Sequence, residues 1–226
     1  MSQGFTEIHS PKINFAGAEG GANLFGLDYF GKKVYLAQSP QLYKQALVAV
    51  YERVFEIAPV FRAERHDTSR HLNEYISMDF EMGFIDSFTD IMEMETGVLK
   101  YIMELLKREY APEVELLKVD IPEIDKIPCI RFKDAKELCV KKLKNITDMK
   151  DFEPEEEAFL GKWAKQQYGS DFLFVTHYLS KKRPFYTMDD PEDPEVTLSF
   201  DLLFRGIEIT SGGQRIHDYN MQVEKM

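Results

Sequence analysis

Residues 60–84 read Val60-Phe-Arg-Ala-Glu-Arg-His-Asp-Thr-Ser-Arg-His-Leu-Asn-Glu-Tyr75-Ile-Ser-Met-Asp-Phe-Glu-Met-Gly-Phe84. The stretch begins as an apolar strand that carries Arg62 and Glu64 on alternate positions, and hence on one face. A polar, cationic loop with Arg65, His66, Arg70 and His71 follows. A second strand then alternates, with Met78, Phe80, Met82 and Phe84 on one face and Ser77, Asp79 and Glu81 on the other. Arginines and carboxylates gathered on one side of a hairpin suit a polyanion with a metal ion, because a guanidinium grips two phosphate oxygens at once. A salt-bridged surface hairpin is the competing reading, and spacing alone leaves both standing.

Outward from this hairpin, Ser39-Pro40 predicts a helix start, with Ser39 as cap. The helix is expected to reach about Ile57, with Leu42, Ala46, Ala49 or Val50, and Val54 as its buried stripe. Gln41 and Lys44 share one face near its N-terminus. There a lysine opposes the macrodipole, which hints at an anionic partner. A second helix is predicted from Ser87 to Tyr110, with Ile91, Met94, Val98, Ile102 and Leu105 inward. Residues 111–170 carry mixed signals: Ala135–Leu143 and Pro154–Tyr168 look helical, and Gly169 stops the second. Strand returns at 171–178 and 196–218, around an acidic, proline-punctuated loop, Met188–Pro194. Before the hairpin, residues 4–36 read as strands and turns, with a glycine-rich loop at Gly17–Ala22 that bears Glu19. Hairpin-like pairing between long helices predicts an α+β class: an antiparallel sheet flanked by helices.

At 226 residues the chain is expected to form one large domain, or one domain with an insertion. It carries 28 basic and 39 acidic residues, a formal charge of -11. That balance argues against a general nucleic-acid binder but leaves room for a local basic surface. The Arg65, His66 and Arg70 loop, Lys141–Lys144 and Lys181–Arg183 are candidates, the two lysine clusters read more simply as solvated helix ends or loops. The chain lacks a run of about 18 apolar residues, so no membrane-spanning helix is expected. Cys129 and Cys139 have no His partner pattern and read as buried or idle thiols of a reducing cytosol. No G-x-S-x-G and no Cys-His pair suggests a protein nucleophile.

Phe61-Arg-Ala-Glu64 with Arg70-His71-Leu72 resembles motif 2 of the class II aminoacyl-tRNA synthetases, and is most similar to the archaeal-type aspartyl enzymes. Ala37-Gln-Ser-Pro-Gln-Leu-Tyr-Lys-Gln45 resembles that family's aspartate-recognition segment, and Ser199–Asp218 its late active-site strands. The resemblance implies ATP-dependent activation of L-aspartate to aspartyl-adenylate and transfer to the 3′ end of tRNA. Its acceptor would be tRNA-Asp, with tRNA-Asn left open. It implies ATP contacts for Arg62, Glu64, Arg70, His71, Leu72, Tyr75 and Glu208. It implies aspartate contacts for Glu19, Gln41, Lys44, Arg62, Asp79, Ser211 and Arg215, and magnesium ligands in Asp201, Glu208 and Ser211. Arg62 would contact the α-phosphate and act as the catalytic residue.

Asp201 and Glu208 differ by an odd number, so a flat strand would place them on opposite faces. A turn or bulge near Arg205-Gly206 is therefore expected. Without it, Asp201 would be a surface salt-bridge residue.

By the same resemblance the chain is expected to be a partial catalytic domain, 1–226, with a small helical insertion at about 111–170. An anticodon-binding domain and the long helix of motif 1 would precede it, and a glycine-rich motif 3 would follow. The chain alone would then be inactive or weakly active, the complete enzyme a cytoplasmic homodimer. Two alternatives are an asparagine synthetase-like ligase paralogue and a non-catalytic binding module.

Overall fold

The computed structural model describes residues 3–17, 23–63, 72–143, 146 and 148–226. The chain divides into two compact units, residues 1–85 and 86–226.

In the first unit, β1 (Thr6–Glu7), β2 (Ile13–Asn14), β3 (Gly26–Tyr29) and β4 (Lys32–Leu36) precede helix α1 (Gln41–Tyr51). Long strands β5 (Arg53–Phe61) and β6 (Glu74–Met82) follow. β5 and β6 pair antiparallel over their full lengths, and β1 adds to β5 in parallel. β2, β4 and β3 form a separate three-stranded sheet.

Helix α1 ends six residues before the expected Ile57. Glu52 turns left-handed (φ 63°), its N–H bonds Val48 O, and its own carbonyl accepts from Gly83 N–H at 2.7 Å. Val54, Phe55 and Ile57 then enter β5, where branched and aromatic side chains pack well. Ser39 does serve the helix start, its hydroxyl accepting from Gln41 N–H at 3.2 Å.

The expected buried stripe of α1 is inverted. Leu42 and Val50 are exposed, whereas Gln41 and Lys44 are buried. The β6 strand repeats the inversion: Ile76, Met78 and the adjoining Phe84 lie outward, and Glu81 is buried. The two polar faces meet, because Lys44 bonds to Asp79 and Glu81.

The second unit contains α2 (Phe88–Glu109), α3 (Ala111–Leu117), β7 (Cys129–Arg131), α4 (Phe132–Lys142), α5 (Pro154–Tyr168) and β8 (Phe172–Thr176). The hairpin β9 (Asp189–Asp190) and β10 (Asp193–Thr197) replaces the expected acidic loop. β11 (Ser199–Phe204), β12 (Ile207–Gly213) and a short helix α6 (Tyr219–Lys225), unforeseen in the sequence, complete it. Its main sheet runs β12-β11-β8-β7, antiparallel except for the β7–β8 pair. Segment 111–170 is thus not purely helical, since β7 joins the sheet edge.

α2 starts as expected: Ser87 and Asp90 form a reciprocal capping box. Its buried stripe is rotated, however, to Phe88, Met92 and Glu95. They belong to the side where Phe172, Phe174, Phe200 and Leu202 form one core. On the opposite side of the sheet, α4 and α5 supply Phe132, Ala135, Leu160 and Ala164 against Leu173, Val175 and Leu203. Gly169, left-handed at φ 69°, ends α5 as predicted.

Candidate active site

In the first unit, α1 delivers Lys44 to the polar face of β6. Its ammonium lies 3.0 Å from Asp79 Oδ1 and 3.5 Å from Glu81 Oε2. Ser77 Oγ donates to Asp79 Oδ2 at 2.8 Å. Burial would raise the Asp79 carboxyl. Lys44, the Ser77 hydroxyl and the Arg62 charge outweigh it and hold the group below the usual carboxylate range. Glu56, directly opposite Asp79 on β5, is buried and tied to Ser10 and Lys12. Gln41 Nε2 donates to Gln45 at 3.2 Å.

Arg62 extends the ladder beyond β5, its N–H donating to Asn73 O at 2.9 Å. Its guanidinium carbon lies 5.9 Å from the centre of the Tyr75 ring. The expected group Gln41, Lys44, Arg62, Tyr75 and Asp79 therefore resides on one unit, with Glu81 as a carboxylate that the sequence reading placed on the same face but gave no role. Its alternation with Asp79 was the available signal. Leu72 is exposed. Glu19, Glu64, Arg70 and His71 lie outside the described residues.

In the second unit, the break expected between Asp201 and Glu208 is present. Arg205 and Gly206 take positive φ values of 51° and 80° and close a two-residue hairpin turn. Gly206 is required there, because a Cβ would come within 2.7 Å of Ala158 Cα on α5. The register then slips. Leu202 faces Thr210, but Leu203 faces Glu208, which leaves Ile209 as the extra residue of a bulge. Asp201 pairs with Ser211, so Asp201, Ser211 and Glu208 come to one face.

Asp201 is not a surface residue. It is 5% exposed, and its Oδ1 lies 2.7 Å from Arg183 Nη2. The Arg183 guanidinium lies 4.0 Å from the centre of the buried Tyr178 ring, and the Tyr178 hydroxyl bonds Asp201. Burial of this cluster, with the Asp201 charge, pushes the Tyr178 hydroxyl well above its ordinary value. Arg183 belongs to a run read as solvated; Lys181 and Lys182 are exposed, but Arg183 turns inward. The following Pro184-Phe-Tyr186 was the only cue. Arg215 is held over the ring of buried Tyr186 at 4.5 Å and bridges to Thr187.

Hard carboxylate oxygens on one face suit magnesium shared with phosphates. Such an ion needs only one or two protein carboxylates. Asp201 and Glu208 fit that requirement as a pair. No group of three His, Cys, Asp or Glu among the described residues could cage a metal without a ligand's help. Both cysteines are free, and burial drives the Cys139 thiol up to about 12, so it is idle as expected. Among the described residues no helix is long and apolar enough to cross a membrane.

The family described as tRNA synthetases class II (D, K and N) matches residues 1–226. The chain belongs to this family. It is 54% identical to the aspartate–tRNA(Asp/Asn) ligase of Deinococcus radiodurans over 99% of its length and 53% of the relative's. It is 51% identical to the ligase of the same name from Thermus thermophilus, over 99% of its length and 53% of that protein. Among solved structures, the asparaginyl-tRNA synthetase of Pyrococcus horikoshii complexed with asparaginyl-adenylate superposes with a TM-score of 0.90 at 31% identity. That match covers 99% of this chain and 52% of the other. The chain spans about half the length of the curated relatives it matches. The mixed α+β architecture is that of the class II synthetases it resembles.

Proposed function

We propose that this chain is the core of an aspartate–tRNA ligase. In the proposed reaction, an α-carboxylate oxygen of L-aspartate attacks the α-phosphorus of ATP. The bond to the bridging oxygen breaks and pyrophosphate leaves. The terminal adenosine hydroxyl of tRNA then attacks the acyl carbon and AMP departs. No protein nucleophile enters; positioning and charge neutralisation do the work.

The observation that carries the reading is the sheltered polar face of β6, where Arg62 lies over Tyr75 and Lys44 is fixed by Asp79. Arg62 would offer the α-phosphate a planar fork, and Tyr75 a face for adenine stacking worth about 1 kcal/mol. Asp79 and Glu81 suit the substrate ammonium. Lys44 already faces these two carboxylates. An incoming ammonium would take over part of their charge and leave Lys44 for the side-chain carboxylate. In the second unit, Arg215 would face the same class of anion, stiffened by Tyr186. Glu208 and Asp201 would hold magnesium, which when bound would neutralise phosphate charge.

Cations suit aspartate better than asparagine, because a neutral amide would leave them unpaired, at several kcal/mol. This charge argument separates the reading from that of the asparaginyl relative, whose fold is the same. The homodimer and the choice between tRNA-Asp and tRNA-Asn belong to the complete protein. Pyrophosphate exchange, with aspartate and asparagine as competing substrates of the complete protein, tests the proposal. Exchange that depends on asparagine, or on neither, overturns it. Ammonia-dependent amide formation without aminoacylation would favour the synthetase-like paralogue instead.

A further inference from the structure

We infer that Arg183 is a positioning residue, the fixed counter-cation that holds Asp201 and Glu208 together on the β11–β12 face before any ligand arrives. The inference rests on the proposed ligase reading, which gives those two carboxylates their task.

Arg183 follows a 3₁₀ turn at Ser180–Lys182, and its N–H bonds Ser180 O at 3.2 Å. From there its side chain turns away from solvent, at 16% exposure, and reaches Asp201 at 2.7 Å. Tyr178 backs the guanidinium plane and bonds the same carboxylate. The Arg205-Gly206 turn pairs Glu208 with Leu203, two residues along β11 from Asp201 and so on the same face, and Glu208 acts on the Arg183 charge. Asp201 is buried on this face and Glu208 exposed, and two carboxylates on one face repel each other unless a cation offsets their charge. A flat fork stacked on an aromatic ring can supply that cation in a fixed orientation, and a lysine cannot. The same carboxylate oxygens are those a divalent cation would need. Arg183 therefore preforms the face and, in the absence of nucleotide, competes with metal for it.

The test uses the complete protein with Arg183→Gln and Arg183→Lys, and reads two quantities. The first is Mn²⁺ binding without nucleotide, followed by electron paramagnetic resonance. The second is kcat for pyrophosphate exchange at saturating magnesium. Arg183→Gln is expected to bind Mn²⁺ about tenfold more tightly and to gain thermal stability on adding magnesium, as the metal replaces the missing charge. Its kcat is expected to fall at least about tenfold, and Arg183→Lys to restore thermal stability but not kcat. Unchanged Mn²⁺ binding in Arg183→Gln, or a kcat within about twofold of wild type, overturns the inference. If Arg183→Gln does not fold, Arg183→Lys decides on the same quantities: wild-type values for both overturn the inference, and a low kcat with tighter Mn²⁺ binding supports it. Failure of the wild-type protein to exchange pyrophosphate with aspartate would sink the ligase reading instead, and leaves the Mn²⁺ comparison intact.

Discussion

Lys44 Nζ lies 3.0 Å from Asp79 Oδ1, with the two side chains only 9% and 18% exposed. This contact ties the first turns of α1 to the centre of β6. It also explains why a lysine is tolerated at a helix start, where the macrodipole disfavours it.

Lys44→Ala is expected to raise the KM for aspartate at least about tenfold while moving the KM for ATP little, because the substrate carboxylate loses a cation. It also leaves Asp79 and Glu81 facing each other, so stability should fall by about 1–3 kcal/mol. Adding Asp79→Asn should recover much of that stability without recovering aspartate use. Steady-state kinetics with each substrate varied, beside thermal unfolding, checks both halves. Equal changes in the two KM values would remove Lys44 from aspartate recognition.

Arg62→Lys should nearly abolish pyrophosphate exchange, with thermal unfolding close to wild type. The fork geometry is lost, but the backbone bond from Arg62 N–H to Asn73 O remains. Exchange within a few-fold of wild type would mark Arg62 as structural.

Lys136 and Glu156 form a buried pair between α4 and α5, at 2.6 and 2.7 Å, with side chains 2% and 3% exposed. Lys136 also donates to Asp148 O. Replacing one partner, as in Lys136→Met, leaves a buried charge and should cost roughly 3–5 kcal/mol in chemical denaturation. The double change Lys136→Met with Glu156→Leu should cost much less than the single changes summed. Strict additivity would contradict the pairing.

Glu95 is buried in α2 and bonded to Thr210 on β12, and burial raises its carboxyl from 4.5 to about 7. The folded state therefore holds a proton that the unfolded chain releases near pH 4.5. Stability from this group is full below that pH, declines as pH rises through 7, and is absent above it. The whole effect is on the order of 3 kcal/mol. Glu95→Gln should remove this decline and stabilise the protein at pH 8, as read from denaturation midpoints across pH 4.5–8. A profile as steep as wild type would place the titration elsewhere.

The sequence by itself determined the elements whose signals are local. Ser87 and Asp90 cap α2 and Gly169 terminates α5, each through groups a few residues apart, and strand alternation marks β6 and the end of β5, although residues 53–57 at its start read as helix. It also carried the resemblance that led to the family, through Phe61-Arg-Ala-Glu64 and the Ser199–Asp218 run. Tertiary structure decided what depends on distant partners. The stripe rule put Leu42 and Val50 of α1 inward, yet Lys44 and Gln41 are buried, because Asp79 and Glu81 wait on another strand to satisfy a buried ammonium. Glu95 turned inward for the same kind of reason, with Thr210 as its partner. The turn at Arg205-Gly206, expected from the odd spacing of Asp201 and Glu208, brings those two to one face, whereas the slip at Ile209, which sets Ser211 opposite Asp201, had no local signal. Arg183 looked like part of a solvated basic run until Tyr178 and Asp201 gave its charge a place. Periodicity reports how apolar side chains divide between water and core; it is blind to a buried charge whose counter-charge lies far along the chain.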